Sequence, residues 1–186
     1  MLTWSILGVI VLTLLYGVAV YNRLVRLRAL VREAFSGITV QLRRRADLVP
    51  NLVSTVQGYA THERETLDAV TAQRTAATSA GSVAATAQAD AAMTAMLGRL
   101  MAVAEAYPDL KADANFRELQ TELSGLETEL QSARRYYNAT ARDLNTRVVS
   151  FPDMFFAGPM GFREEPYYED ADPAIQSAPK VDFKPA

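Results

Sequence analysis

A chain of 186 residues with net charge −2, one histidine and no cysteine has room for one or at most two domains and lacks whole classes of chemistry. Without cysteine there is no disulfide scaffold, thiolate zinc site, iron–sulfur cluster or cysteine nucleophile, and His62 alone cannot supply a site needing two imidazoles from one chain. The near-zero charge argues against nucleic-acid binding, yet it averages unlike parts: residues 1–21 carry no charged side chain, 22–45 hold seven arginines against one glutamate, and residues 148–186 sum to −4.

The first segment, Met1 to Tyr21, is apolar throughout. About 20 helical residues at 1.5 Å each cross a hydrocarbon core of roughly 30 Å, so this segment predicts a transmembrane anchor. Trp4 near one end and Tyr16 and Tyr21 near the other suit the aromatic belts of the two interfaces. No Lys or Arg precedes the run and no small-residue cleavage site follows it, which disfavours a cleaved signal peptide. Arg23, Arg26, Arg28 and Arg32 follow at once, and Arg23, Arg26 and Arg28 are close enough to meet lipid headgroups. The positive-inside rule then predicts an outer N-terminus and a cytoplasmic domain at a bacterial inner membrane. Thr13 and Gly17, four apart, form a single small-xxx-small pair, a weak signal for seating a second helix.

Beyond the anchor, Leu24, Leu27, Val31, Ala34/Phe35, Ile38 and Leu42 recur at helical spacing, which predicts one continuous helix from about residue 2 to 45. It would reach roughly 35 Å beyond the bilayer. Asp47 reads as the N-cap of a second helix with Pro50 in its first turn, running out near Ser79. Gly81-Ser82 reads as a turn. A third helix carries Met93, Leu97, Leu100 and Val103/Ala104 and stops before Pro108. Asp113 caps a fourth helix with the cleanest stripe in the chain: Phe116, Leu119, Leu123, Leu126, Leu130, Ala133, Tyr137, Thr140 and Leu144. Its alternating steps of three and four are a heptad pattern, and it is expected to reach Val149. Beyond the anchor each helix holds one internal glycine, Gly37, Gly58, Gly98 or Gly125, which a close helix contact or a bend would explain. After Ser150 the composition changes: six of the eight prolines lie in 151–186.

These elements predict an all-α fold: a transmembrane helix (1–21) continuing into an up-and-down four-helix bundle (22–150), then an irregular tail (151–186), aromatic at first and acidic and proline-rich at its end.

No catalytic constellation emerges. His62-Glu63 invites a zinc-protease comparison, but position 66 is threonine where the second histidine must stand. A di-iron bundle site needs two Glu-x-x-His pairs and fails for the same reason. Glu118/Glu122 beside a leucine stripe read as a solvated face. No phosphate-cradling or nucleophile-elbow motif occurs. Catalytic, cofactor and metal residues are therefore all expected to be none. Arg43-Arg44-Arg45 is expected at the distal turn, too far from the bilayer for lipid contact across a screening length of about 8–10 Å, and instead pairs with acidic groups or meets a partner. Phe151, Phe155, Phe156 and Phe162 would make an adhesive patch if exposed, and either fold back on their own bundle or cover a neighbouring chain.

The blocks Tyr21-Asn22-Arg23-Leu24-Val25-Arg26-Leu27-Arg28, Val40 to Val53 (with Gln41-Leu42-Arg43-Arg44-Arg45-Ala46-Asp47-Leu48-Val49-Pro50-Asn51-Leu52), Gly58 to Glu63, Tyr107 to Ala112, Ala133 to Asn138, Asn145 to Pro152 and Gly161-Phe162 resemble the LemA family of bacterial membrane proteins. The resemblance runs from the anchor to about Glu169. It implies a short N-terminal anchor and a helical bundle, and it carries over no catalytic residue and no cofactor. Genes of family members often lie near those of membrane metalloproteases or other envelope-quality-control proteins, an association that implies an accessory role as the alternative to self-assembly. The expected function is that of a non-enzymatic, single-pass membrane protein whose helical domain assembles or recruits partners. Those partners are the lipid bilayer, further copies of the chain in a homo-oligomer, and a membrane protease or other envelope protein.

Overall fold

The computed structural model describes residues 1–60, 63–79 and 81–169. His62 and the acidic end of the tail lie outside the described residues. Among these residues there are six helices and no strand: α1 (Leu2–Tyr59), α2 (Arg64–Ser79), α3 (Val83–Glu105), α4 (Pro108–Ala112), α5 (Ala114–Val149) and α6 (Met154–Ala157).

The expected break at Asp47 does not exist. Asp47 caps nothing, and Pro50 lies inside α1, which runs on to Tyr59. Proline removes one helical hydrogen bond and costs roughly 3 kcal/mol in a helix interior. Two features offset this. Leu42, Ala46, Val49, Leu52 and Val56 are all buried on one face of the unbroken helix, and a fully buried leucine or valine contributes about 1.5–3 kcal/mol. The carbonyl orphaned by Pro50 belongs to Ala46, and Arg74 of α2 donates its Nε to that oxygen at 3.0 Å. The same guanidinium faces Asp47, 3.8 Å from Nη2 to Oδ1. The second helix of the sequence reading is thus divided: its first part belongs to α1, and α2 begins only at Arg64.

The remaining boundaries follow local chemistry. Ser82 caps α3 by accepting the Ala85 amide at 3.2 Å, so Gly81-Ser82 is indeed the turn. α3 ends at Glu105, short of Pro108, which takes the first position of α4 where its missing amide proton is no loss. Asp113 caps α5 by accepting the Phe116 amide at 2.9 Å and the Tyr59 hydroxyl at 3.1 Å. The Phe116 amide, with help from Tyr59, holds the Asp113 carboxyl below its usual range. α5 then runs 36 residues to Val149, and every member of its heptad stripe is at least partly buried.

The chain forms two compact units, one of Met1–Gln41 with Ser124–Tyr167, the other of Leu42–Leu123 with the described residues from Tyr168. The first buries Val20, Leu24, Val31, Ala34 and Ile38 of α1, and Leu130, Tyr137, Ala141 and Leu144 of α5. The second has a core of Val49, Leu52, Val56, Leu67, Val70, Met93, Leu97, Leu100, Leu110 and Phe116. The four helix glycines Gly37, Gly58, Gly98 and Gly125 have open space where a Cβ would stand, so close contact does not explain them.

Candidate functional site

The most distinctive surface lies where the apolar start of α1 meets the rest of its unit. Residues 1–16 are exposed on every side, Trp4 by 77 %. This is the one helix among the described residues long and apolar enough to cross a membrane by length and composition. Burial begins at Gly17 and Val20.

The chain returns to this point after α5. A cis Phe151–Pro152 bond leads into α6. Asp153, buried at 2 % exposure, accepts the Tyr16 hydroxyl at 2.6 Å on Oδ1 and meets Arg147 Nε at 3.1 Å on Oδ2. A carboxylate so deeply buried is tolerable because both oxygens are partnered. The Phe156 ring lies on Gly17: a Cβ there would come within 3.1 Å of its Cε1. Tyr16 and Phe156 sit 5.7 Å apart between ring centres. The small residue Gly17, half of the pair that could have seated a second helix, therefore seats a side chain of its own chain. Gly161, at φ +76°, supplies the left-handed turn that other residues rarely adopt. Phe162 follows, buried between the Tyr21 ring, 5.8 Å away and edge-on, and the Arg28 guanidinium, 4.6 Å from the ring centre.

From Phe162 the chain runs without regular structure against α5. Asn145 holds it at two points, donating Nδ2 to the Glu165 carbonyl and accepting the Glu165 amide, both at 2.8 Å. Tyr137 donates its hydroxyl to the Pro166 carbonyl at 2.7 Å. Burial, together with nearby Glu165, pushes this phenol up to about 12 from its ordinary 10.0. The sign follows: the unfolded phenol ionises first, so this contribution is fully present below about pH 10 and is lost as pH rises through about 12. Tyr137→Phe is expected to cost about 0.5–1.5 kcal/mol. Urea unfolding followed into alkali checks this: the variant should lose the part of the alkaline destabilisation that Tyr137 supplies, and an unchanged profile would contradict it.

The second unit holds a different polar cluster. Arg45 and Asp90 are buried, at 6 % and 1 % exposure. Arg45 Nη1 meets Asp90 Oδ1 at 3.0 Å, and its Nη2 donates to Thr94 Oγ1 at 2.9 Å. Tyr168 donates its hydroxyl to the other Asp90 oxygen at 2.7 Å.

The sequence candidates therefore separate by place. Tyr16, Tyr21, Arg28, Phe156 and Phe162 come together at the foot of the apolar helix, while Trp4 stands apart near its start. Arg23 and Arg26 are exposed. Phe151 and Phe155 are exposed by 78 % and 64 %, with their rings edge-on at 5.9 Å. Of the arginine triplet, Arg43 and Arg44 face outward, whereas Arg45 points inward. The triplet lies within α1, not at a turn, because Pro50 does not end the helix; of the two alternatives expected for it, Arg45 takes pairing with an acidic group, Asp90. The sequence singled out Gly17 only as half of a helix-seating pair, and assigned Asp153, Asn145 and Asp90 no role. The signal for Asp153 was present as the one charge in the apolar stretch Phe151–Phe162.

Chemically, the contacts at the foot of α1 and along α5 hold the returning segment in place. Among the described residues no group of three or more His, Cys, Asp or Glu converges to hold a metal. An open groove of about 340 Å³ in the second unit is lined by Asn51, Ser54, Thr55, Asn115, Glu118 and Glu122, hydroxyls and carboxylates with no imidazole or lysine to activate them.

Comparison with known proteins adds a family. The match to the LemA family covers residues 34–183. The chain is 32 % identical over 74 residues to Magnetosome protein MamQ 2 of Paramagnetospirillum magneticum, covering 40 % of this chain and 27 % of that protein. Magnetosome protein MamQ of Magnetospirillum gryphiswaldense is 31 % identical over 74 residues, with the same coverage of 40 % and 27 %. Protein LemA of Metamycoplasma hominis is 28 % identical over 131 residues, 70 % of this chain and 60 % of that protein. The chain thus spans about a quarter of the length of the MamQ proteins it matches.

Proposed function

The chain belongs to the LemA family, and from that premise we propose that it is a non-enzymatic, single-pass protein of the bacterial inner membrane whose helical part assembles with copies of itself or recruits an envelope partner such as a membrane protease. The observation that carries this reading is the continuity of α1. One helix holds an apolar run exposed all round and then, with no break, the buried positions from Val20 to Val56. An anchor that is also a core element joins the helical part to the membrane through one unbroken helix. Arg23 and Arg26, exposed just past the apolar run, support an outer N-terminus and a cytoplasmic helical part.

Two measurements test it. In mild detergent the protein, 20.4 kDa as a monomer, is expected to run as an oligomer or to crosslink to a partner; a strict monomer with no crosslink overturns the assembly role. A reporter fused after Ala186 is expected to be active only when of the cytoplasmic type; activity of a reporter that works only outside the inner membrane overturns the orientation.

A further inference from the structure

The segment Phe151–Met160 has no assigned role in the anchor, yet it is built unlike a solvent loop. Phe151, Met154, Phe155 and Met160 are all exposed, with Val149 beside them. Its single charge, Asp153, is turned inward and shared between Tyr16 and Arg147. Hiding the polar group and exposing the apolar ones inverts what water favours.

Its position explains the inversion. Contacts of Asp153 with Tyr16 and of Phe156 with Gly17 hold the segment beside residues 16 and 17 of α1. These lie four or five residues inside the apolar run that ends at Tyr21, or about 6–8 Å along the helix axis. Interfacial elements bury an apolar face by roughly 5–10 Å at the boundary of headgroups and acyl chains. Charge changes in the same direction: the apolar side chains are followed by exposed Arg163 and Glu164, and Arg23 and Arg26 are exposed beyond Tyr21, where lipid phosphates would stand if the apolar run spans the bilayer.

We propose that residues 151–160 form a second membrane contact that does not span the bilayer, a wedge of apolar side chains seated in the headgroup–acyl boundary beside α1, with lipid as its occupant. The proposal rests on the anchor reading above. Two contacts, a spanning helix and a wedge fixed to its foot, would set the tilt and rotation of α1 relative to the membrane plane, which a lone helix leaves free. The Tyr16–Asp153–Arg147 cluster then acts as the brace that keeps the wedge at its depth.

The chain has a single tryptophan, Trp4, which allows a clean test. The full-length protein and the double variant Trp4→Phe/Phe155→Trp are placed in phosphatidylcholine–phosphatidylglycerol vesicles whose chains carry bromine near the ester end. Phe155 is exposed, so its replacement disturbs no core. Both tryptophans are expected to emit in the blue and to lose most of their intensity to the brominated lipid. If Trp4 is quenched while F155W emits in the red and is not, the wedge is overturned and the anchor stands. If F155W emits in the blue but is unquenched, protein covers the segment, a second copy or a partner, and the wedge is again overturned. If Trp4 itself escapes quenching, the anchor reading falls and the wedge with it.

Discussion

Asp90→Ala is expected to destabilise the second unit by about 3–5 kcal/mol, because it removes the carboxylate that meets the buried Arg45 guanidinium at 3.0 Å. The loss reaches further than one pair. Tyr168 also donates to Asp90, so its hydroxyl loses its acceptor at the same time. A buried pair is not intrinsically more stabilising than an apolar one of similar volume. The double replacement Arg45→Met/Asp90→Leu is therefore expected to recover much of the loss, although Thr94 and Tyr168 would each lose a partner. Urea unfolding of the single and double variants measures both values. If Asp90→Ala unfolds within about 0.5 kcal/mol of the parent, an effect typical of a plain surface substitution, the pair does not hold the second unit together.

Asn145→Ala is expected to release the segment after Phe162 from α5. It removes both hydrogen bonds that hold the backbone of Glu165. A buried polar group left unpaired costs about 1–3 kcal/mol; Glu165 is half-buried, so water recovers part of this and about 2 kcal/mol in total is a fair expectation. Opening of the segment should then be roughly 30-fold more frequent. Exposed Arg163 lies two residues from the clasp, so trypsin cleavage after Arg163 should accelerate by about that factor when opening limits access. An unchanged cleavage rate would show that Tyr137 and the burial of Phe162 hold the segment without Asn145. Alanine is the better helix former at position 145, so slower folding of α5 would not explain a faster cut.

Much of the architecture was legible because it rests on local signals. The heptad stripe of α5, its Asp113 cap and the Ser82 turn depend on spacing and on one side chain reaching a nearby amide. Pro50 misled for a physical reason. Its helix-breaking tendency is local, whereas the compensation comes from Arg74, 24 residues on, and from a core face that continues past it. That single misreading also set the arginine triplet at a turn, although the acidic pairing of Arg45 was among its expectations. With a break at Asp47 the triplet sits at a surface turn; on an unbroken helix residue 45 falls beside Leu42, Ala46 and Val49 on the inward face.

The aromatic tail makes the same point about the site. Its phenylalanines stood out in the sequence as a patch needing cover, but the pattern could not say which would be covered. Phe162 is buried between Tyr21 and Arg28, and Phe156 lies on Gly17, while Phe151 and Phe155 stay exposed. The choice depends on the left-handed turn at Gly161 and on Asp153 finding Tyr16 and Arg147, contacts between residues more than a hundred positions apart in one case.

By itself, the sequence determined the helical class, the apolar run at the start, the family and the absence of cysteine chemistry, since composition, periodicity and motif spacing do not depend on what the chain later meets. Only the tertiary structure decided where α1 ends, which arginine turns inward and which aromatic side chains remain for the surface. Those outcomes are set by partners far along the chain, whose hydrogen bonds and buried area outweigh the local preference of any single residue.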